Sequence, residues 1–176
     1  MSFIAIDSMI VDYLVQAMDQ GYDPSEDTND HLRPERIATF RLFLWSELYV
    51  PPTVAAQLSA TRDQPWRERL QRLVAIHLVE LAATLDASLI SQRVSDLRVI
   101  HRDPEDCRVV AESEIAGACV LLSFDHRLRS RLASRTSLQL LKPSDCWERL
   151  GVIRGTAPRW IPATSNPIGS KTWWHW

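Results

Sequence analysis

Two short apolar runs, far apart in the chain, each end at an aspartate. The segment FIAIDSMIV is apolar up to Ile6 and then reaches Asp7. The segment VLLSFDHRL has a similar run, which passes through Ser123 and Phe124 to Asp125. Short apolar runs that stop at polar residues are typical of buried strands. The pattern therefore predicts two strands that each carry a carboxylate at the carboxyl end.

The rest of the chain alternates between strand-like and helical patterns. We expect strands at 2–6, ELYV, IHLVEL, 118–122 and LQLL. Segments of helical period lie between them, at 8–18, 34–46, 53–60, from 63 onward, 84–97, 104–116, past 125 and at the end of LKPSDCWERLG. Alternation of this kind predicts an α/β fold with a parallel sheet.

Capping residues predict where two of the helices begin. Ser8 can cap the first helix, because a serine hydroxyl accepts from free backbone N–H groups. In HRDPEDCRVV, Asp103 is the expected N-cap and Pro104 the first helical residue, and Gly117 is expected to end that helix.

The predicted topology is expected to bring three aspartates together. In an open parallel sheet, the carboxyl ends of the strands and the amino ends of the following helices lie at one edge. Asp7 and Asp125 follow strands, and Asp106 lies in the first turn of the helix from Pro104. We call Asp7, Asp106 and Asp125 the acidic edge.

Two interpretations of the acidic edge stay open. Each acid by itself is explained by capping: Asp7 and Asp125 at the start of helices, and Asp106 in a capping box with Asp103. Taken together, three neighbouring carboxylates repel one another unless a cation lies between them. Oxygen ligands without nearby His or Cys favour Mg²⁺ or Mn²⁺ over zinc.

Length and charge narrow the class of protein. With 176 residues, 45% of them hydrophobic, the chain can form one globular domain with its own core. A net charge of −2 gives no overall basic field, so a nucleic acid would be held by local arginines or by metal. Three cysteines without CxxC spacing, and no apolar segment long enough for a leader or a membrane span, favour the cytoplasm.

Three segments resemble the motifs of a known family. FIAIDSMIVDYL, YVPPTVAAQL and DCRVVAESEIAGACVLLSFDHRL are similar to those of PIN-domain ribonucleases, which include toxins of bacterial toxin–antitoxin operons. The most specific feature is the spacing of nineteen positions between Asp106 and Asp125, and the resemblance covers about residues 2–145. It implies a three-layer α/β/α sandwich with a mostly parallel central sheet. It also implies that Asp7, Asp106 and Asp125 bind metal, and that Ser123 is the small hydroxyl residue before the last acid.

One position departs from the family pattern. The second motif normally carries a glutamate where this chain has Gln57. An amide supplies no charge, so the departure implies weaker cation binding and lower activity. Glu47 is expected at the wrong end of its strand to replace it. Glu112 is expected to be an exposed helix residue, with a place in the pocket as the alternative.

The function that these features predict is metal-dependent hydrolysis of RNA phosphodiester bonds by an endoribonuclease that uses Mg²⁺ or Mn²⁺. Arg127, Arg129 and Arg131 are expected to bind flanking phosphates, with a solvated helix face as the alternative. Candidate partners are RNA, an antitoxin protein and a second copy of the chain. A catalytically impaired PIN-like module for RNA binding or assembly is the main rival. A phosphatase of the haloacid-dehalogenase type is disfavoured, because Met9 stands where its second acid would be.

The end of the chain has a different composition. Residues 1–150 are predicted to form the nuclease domain, and 151–176 an irregular arm rich in Pro and Trp. Four tryptophans are unfavourable in water, so the arm either packs across the domain or contacts a partner or nucleic acid.

Overall fold

The computed structural model describes residues 3–81 and 85–176, and within them five strands form one parallel sheet. The strands are β1 (Ile4–Ile6), β2 (Leu48–Val50), β3 (Val79–Glu80), β4 (Val120–Leu122) and β5 (Gln139–Leu141). Their order across the sheet is β3-β2-β1-β4-β5. The helices are α1 (Ser8–Gln20), α2 (Arg33–Trp45), α3 (Pro52–Ser59), α4 (Gln64–His77), α5 (Ala87–Arg98), α6 (Pro104–Ile115), α7 (His126–Leu132) and α8 (Pro143–Leu150).

This architecture confirms the predicted three-layer α/β/α sandwich. The central strand β1 pairs with β2 on one side and β4 on the other, so Ile4 faces both Leu48 and Val120. All residues of β1 and β4 are buried. Burial on both faces explains why these strands are continuous apolar runs, since helices cover both sides of a parallel sheet.

The first helix begins one residue earlier than its predicted cap implies. Asp7, not Ser8, is the N-cap of α1, and its Oδ1 accepts from the N–H of Ile10 at 3.0 Å. The prediction for α6 is confirmed, because Asp103 caps it, Pro104 opens it and Gly117 follows its end with φ of 84°.

The predicted strand IHLVEL is mostly wrong. The buried stripe of Leu70, Leu73 and Val74 continues the helical period, so α4 extends through His77. Only Val79–Glu80 pairs with β2, as a short exposed strand at the sheet edge. Parts of two further predictions, residue 2 of the first strand and residue 84 of the fifth helix, lie outside the described residues; α5 is capped by Asp86.

Residues 151–176 follow α8 as an irregular arm without helix or strand, and they pack on the domain. Trp174 is buried, and the indole of Trp173 donates to the carbonyl of Tyr22 at 2.9 Å and meets the Tyr22 ring edge-on. Arg41 of α2 donates to the carbonyls of Trp173 and His175. The arm thus covers apolar surface beside α2 that would otherwise face water.

The described residues also bear on the expectations for membrane spans and disulfides. No helix in the described ranges is long and apolar enough to cross a membrane. Cys107, Cys119 and Cys146 are all free thiols.

Candidate functional site

The strand ends bring Asp7 and Asp125 to the same edge of the sheet. Asp7 directly follows β1, and its N–H donates to the carbonyl of Leu122, the last residue of β4, at 3.1 Å. Asp125 follows β4 after a short loop in which the Ser123 hydroxyl accepts from the Asp125 N–H at 2.9 Å. The pairing of β1 with β4 therefore places these two carboxylates on neighbouring strand ends.

Both of these acids also cap helices. Asp7 caps α1 through Oδ1, and Asp125 Oδ1 accepts from the N–H groups of Arg127 and Leu128 at 2.6 and 3.2 Å. The capping interpretation is thus confirmed for Asp7 and Asp125. Each cap uses Oδ1, which does not by itself exclude a second role for the same carboxylate.

Asp106 is held differently from the other two. The predicted capping box is absent from the described hydrogen bonds, since Asp103 alone accepts from the N–H groups of Glu105 and Asp106. The carboxylate of Asp106 instead lies 2.7 Å from Nε2 of His101, measured at Oδ2. His101 thus fixes the direction of the Asp106 side chain.

The three acids act on one another electrostatically. The pKa of Asp7 is raised to about 6, mainly by burial and to a lesser extent by the charges of Asp106 and Asp125, against hydrogen bonds from Ser123 and Ile10. Burial likewise raises the pKa of Asp106, against the hydrogen bond from His101, and the charge of Asp125 adds to the rise. The acidic edge is therefore a set of mutually repelling carboxylates in a partly dry environment.

His101 is a site residue that the sequence did not reveal. It is only 5% exposed, and its Nδ1 has no hydrogen-bond partner within residues 3–81 and 85–176. A single histidine five positions before an acid looks like any other core histidine. Only the turn that leads from α5 into α6 shows that it contacts Asp106.

Gln57 reaches the acidic edge from α3. Its Nε2 donates to Oε2 of Glu105 at 2.8 Å, and Glu105 is the residue before Asp106. The amide thus lies beside the site where the motif places a glutamate, but it donates to an acid and adds no negative charge.

The expectation for Glu112 was wrong. Glu112 is buried, and its carboxylate accepts from the N–H and the hydroxyl of Thr53 at 2.8 and 2.7 Å. The reason is that α3 follows Pro51, which offers no side-chain cap, so a carboxylate from α6 satisfies the first turn instead. Glu47, as expected, lies elsewhere and pairs with Arg159.

The three arginines after Asp125 differ in their surroundings. Arg127 and Arg131 are exposed, whereas Arg129 is partly buried and donates to the carbonyl of Ser123. Ser123 itself is fully buried. Arg127 and Arg131 are therefore available to an external phosphate, and Arg129 braces the loop that carries Asp125.

The donor set fits a hard divalent cation in chemistry and charge. The second oxygens of Asp106 and Asp125 accept no hydrogen bond from the part of the chain that the structure describes. Oxygen donors and accumulated negative charge are what Mg²⁺ and Mn²⁺ require. In the observed side-chain positions, however, the described residues contain no group of three or more His, Cys, Asp or Glu gathered around one point. Binding would require the carboxylates to turn toward a common centre.

Comparison with known proteins adds no family to this description. No protein-family model and no curated protein matches the chain. The relation to PIN-domain ribonucleases stays a prediction that depends on the motifs.

Proposed function

We propose that the protein is a metal-dependent endoribonuclease of the PIN type, which hydrolyses RNA phosphodiester bonds with Mg²⁺ or Mn²⁺ held by Asp7, Asp106 and Asp125. The observation that carries this proposal is the placement of three acids at one edge, where the Asp7 N–H donates to Leu122 at the end of β4 and the charges of Asp106 and Asp125 add to the rise that burial causes in the pKa of Asp7. Three acids from three separate elements are unfavourable there without a cation.

The roles of the chain's own residues follow from their contacts. A bound Mg²⁺ or Mn²⁺ would supply activation of water and neutralisation of charge on the phosphate. His101 orients Asp106, and the Ser123 hydroxyl holds the backbone of Asp125. Arg127 and Arg131, both exposed on the helix that follows Asp125, would bind phosphates that flank the cleaved bond, without regard to sequence.

The proposal extends to the setting of the enzyme. We infer a cytoplasmic protein, for which the three free cysteines are one support. We further propose the toxin of a toxin–antitoxin pair, with an antitoxin protein and a second copy of the chain as partners. An adjacent small gene for a DNA-binding protein would support this part.

A second candidate is a catalytically impaired PIN-like module with an RNA-binding or assembly role. The specific observation in its favour is Gln57, whose amide donates to Glu105 and leaves the site one charge short of the four-acid pattern. Weak metal occupancy would then limit or abolish cleavage.

Titration with Mn²⁺ and cleavage of a labelled single-stranded RNA distinguish these candidates. The variants are Asp106→Asn and Asp125→Asn, with Asp86→Asn as the matched control, because Asp86 caps a helix as Asp125 does but lies at the start of α5. For a nuclease, the wild type and the control bind Mn²⁺ and cleave, and both site variants lose both properties. Binding that the site variants lose, without any cleavage, identifies the impaired module. A wild type that binds no Mn²⁺ at millimolar concentration refutes the metal site.

A further inference from the structure

A pocket of about 420 Å³ opens beside the acidic edge, between α1, α3 and α4. Three aromatic side chains, Tyr13, Trp66 and Phe124, form part of its wall, and we call it the aromatic pocket. Small-molecule sites in proteins span roughly 300–1,000 Å³. The aromatic pocket is therefore at the small end of that range, where a single ring system can be enclosed.

The aromatic pocket lies next to the acidic edge. Phe124 directly precedes Asp125, and Gln57 both lines the pocket and contacts Glu105, the residue before Asp106. A ligand in the pocket would thus lie next to any group bound at the acids. A chain that crosses the edge can place its next unit in the pocket.

One residue of the pocket wall, Tyr13, carries a buried hydroxyl without a partner among the described residues. Tyr13 is 7% exposed, and its Oη makes no hydrogen bond to any residue in the described ranges. Buried hydroxyls are normally paired, because leaving one unpaired is unfavourable. Because Tyr13 also lines the pocket, a small turn of its ring would bring this unpaired Oη within reach of a polar atom of a ligand.

The other polar groups of the pocket fix its aromatic wall. Asp12 accepts from Nε1 of Trp66 at 2.7 Å and from Nε2 of Gln16 at 2.8 Å, so the indole is held by a hydrogen bond. The guanidinium of Arg36 lies 5.8 Å from the centre of the Tyr13 ring. The pocket thus combines a fixed aromatic surface with donors and acceptors along its border.

We infer that the aromatic pocket binds one unpaired nucleobase of an RNA strand, from the nucleotide next to the phosphate at the acidic edge. A nucleobase has flat apolar faces and a polar border, which match the aromatic wall and the groups of Tyr13, Asp12 and Gln57. A base inside a duplex is stacked and cannot enter, so the pocket selects single-stranded or looped RNA. The assignment of the strand as substrate rests on the proposed nuclease function, whereas binding of the base does not require cleavage.

The test measures binding in EDTA, where metal-dependent cleavage is absent. Fluorescently labelled oligoribonucleotides of ten residues are titrated by anisotropy, together with a series in which each position in turn lacks its base. Wild-type protein should lose affinity at one abasic position. Trp66→Leu should weaken binding of the intact strand about ten-fold to a hundred-fold, which is the range for loss of one stacked base. In this variant the sensitive position should disappear, because the two changes remove the same contact.

Two further variants separate the hydroxyl from general effects on folding. Tyr13→Phe removes only the unpaired Oη and should change which base is preferred at the sensitive position. Tyr49→Phe is the matched control, because its hydroxyl contacts Glu47, away from the pocket. It should bind as the wild type does. Melting temperatures identify any variant that fails to fold, and in that case Tyr13→Phe alone decides.

The results that overturn the inference differ from those that overturn the nuclease. Three results would each refute binding of a base in the aromatic pocket: no binding of the oligonucleotide, no sensitive abasic position, or the same base preference in Tyr13→Phe and wild type. Any of them would favour a protein partner for this pocket instead. Binding of free nucleoside monophosphates as tight as that of the oligonucleotides would refute the assignment to RNA. If the wild type has a base-sensitive position but cleaves no RNA in Mn²⁺, the proposed nuclease function is refuted and the base pocket is not. Cleavage without a sensitive position refutes the pocket alone.

Discussion

Replacing Asp7 with asparagine should stabilise the folded protein at neutral pH. Asparagine and aspartate are about equally good N-caps, so the hydrogen bond to the N–H of Ile10 can be kept. The substitution removes the negative charge alone. Since burial and the charges of Asp106 and Asp125 raise the pKa of Asp7 to about 6, that charge is unfavourable in the fold.

The size and the pH range of the effect follow from the pKa. The pKa of Asp7 rises from 3.8 to about 6 on folding, so the protonated carboxyl is favoured in the folded state. Its stabilising contribution is fully present below pH 3.8 and is lost as the pH rises through 6. One pH unit corresponds to about 1.4 kcal/mol, so ionisation of Asp7 lowers the free energy of unfolding by about 3 kcal/mol at pH 8. Asp7→Asn should recover about that amount at pH 8 and almost nothing near pH 3.5.

Urea unfolding from pH 3.5 to 8 in EDTA measures this difference directly. The control is Asp86→Asn, the cap of α5. Hydrogen bonds from Ser88 and Leu89 lower the pKa of Asp86, so its charged form stabilises the fold above the ordinary pKa, and this contribution is lost as the pH falls through the lowered value. The two variants should therefore respond to pH in opposite directions.

Addition of Mn²⁺ at about a hundred times its dissociation constant should largely cancel this difference in stability at pH 7. A ligand at a hundred times its dissociation constant stabilises the fold by about 2.7 kcal/mol, and Asp7→Asn should gain much less because it lacks a ligand. An unfolding free energy for Asp7→Asn that equals that of wild type at pH 8 in EDTA would refute the electrostatic account of the acidic edge. Equal gains of both proteins in Mn²⁺ would refute the role of Asp7 as a ligand.

Three further changes test other parts of the structure. Gln57→Glu replaces the hydrogen bond to Glu105 by repulsion between two carboxylates, so it should lower the melting temperature in EDTA by a few degrees. The added charge should also tighten Mn²⁺ binding, measured by calorimetry. Unchanged Mn²⁺ binding would mean that Gln57 is not part of the metal site. His101→Ala removes the partner of Asp106 and should weaken Mn²⁺ binding about ten-fold or more, measured by the same titration. Deletion of 157–176 exposes buried apolar side chains and should lower the unfolding free energy by at least about 3 kcal/mol in urea, whereas an equally stable truncated chain would mean that the arm contributes little.

Local signals in the sequence were enough to predict four of the five described strands and several helix starts. The apolar runs of β1 and β4 are buried on both faces, so their composition reflects the parallel sheet directly. Asp103 and Pro104 mark the start of α6, because a cap and an N1 proline are properties of a few adjacent residues. The prediction of a strand at IHLVEL was mostly wrong because local signals are ambiguous there. A short apolar segment has no period that distinguishes the end of a helix from a strand.

Contacts between distant segments could not be predicted from local signals in the sequence. Glu112 is buried because it caps α3, 59 positions away at Thr53, and nothing near Glu112 in the chain indicates that partner. The position of Gln57 next to Glu105 depends on the packing of α3 against α6. Such pairs arise only from the tertiary arrangement, which is why a glutamate in a helical pattern was expected to face water.

An aspartate of the acidic edge can cap a helix and bind a cation at the same time. A cap needs one oxygen in a fixed place, and Asp125 uses Oδ1 for both of its hydrogen bonds to the start of α7. The same bonds hold the carboxylate at the sheet edge and leave its second oxygen without a hydrogen bond from the described residues, so a modest turn of the side chain would be enough to present that oxygen to a cation. Asp106 has no helix start to satisfy and depends on His101 for its orientation. It follows that loss of His101 should affect the site more than the fold, whereas loss of the Asp125 cap should affect both.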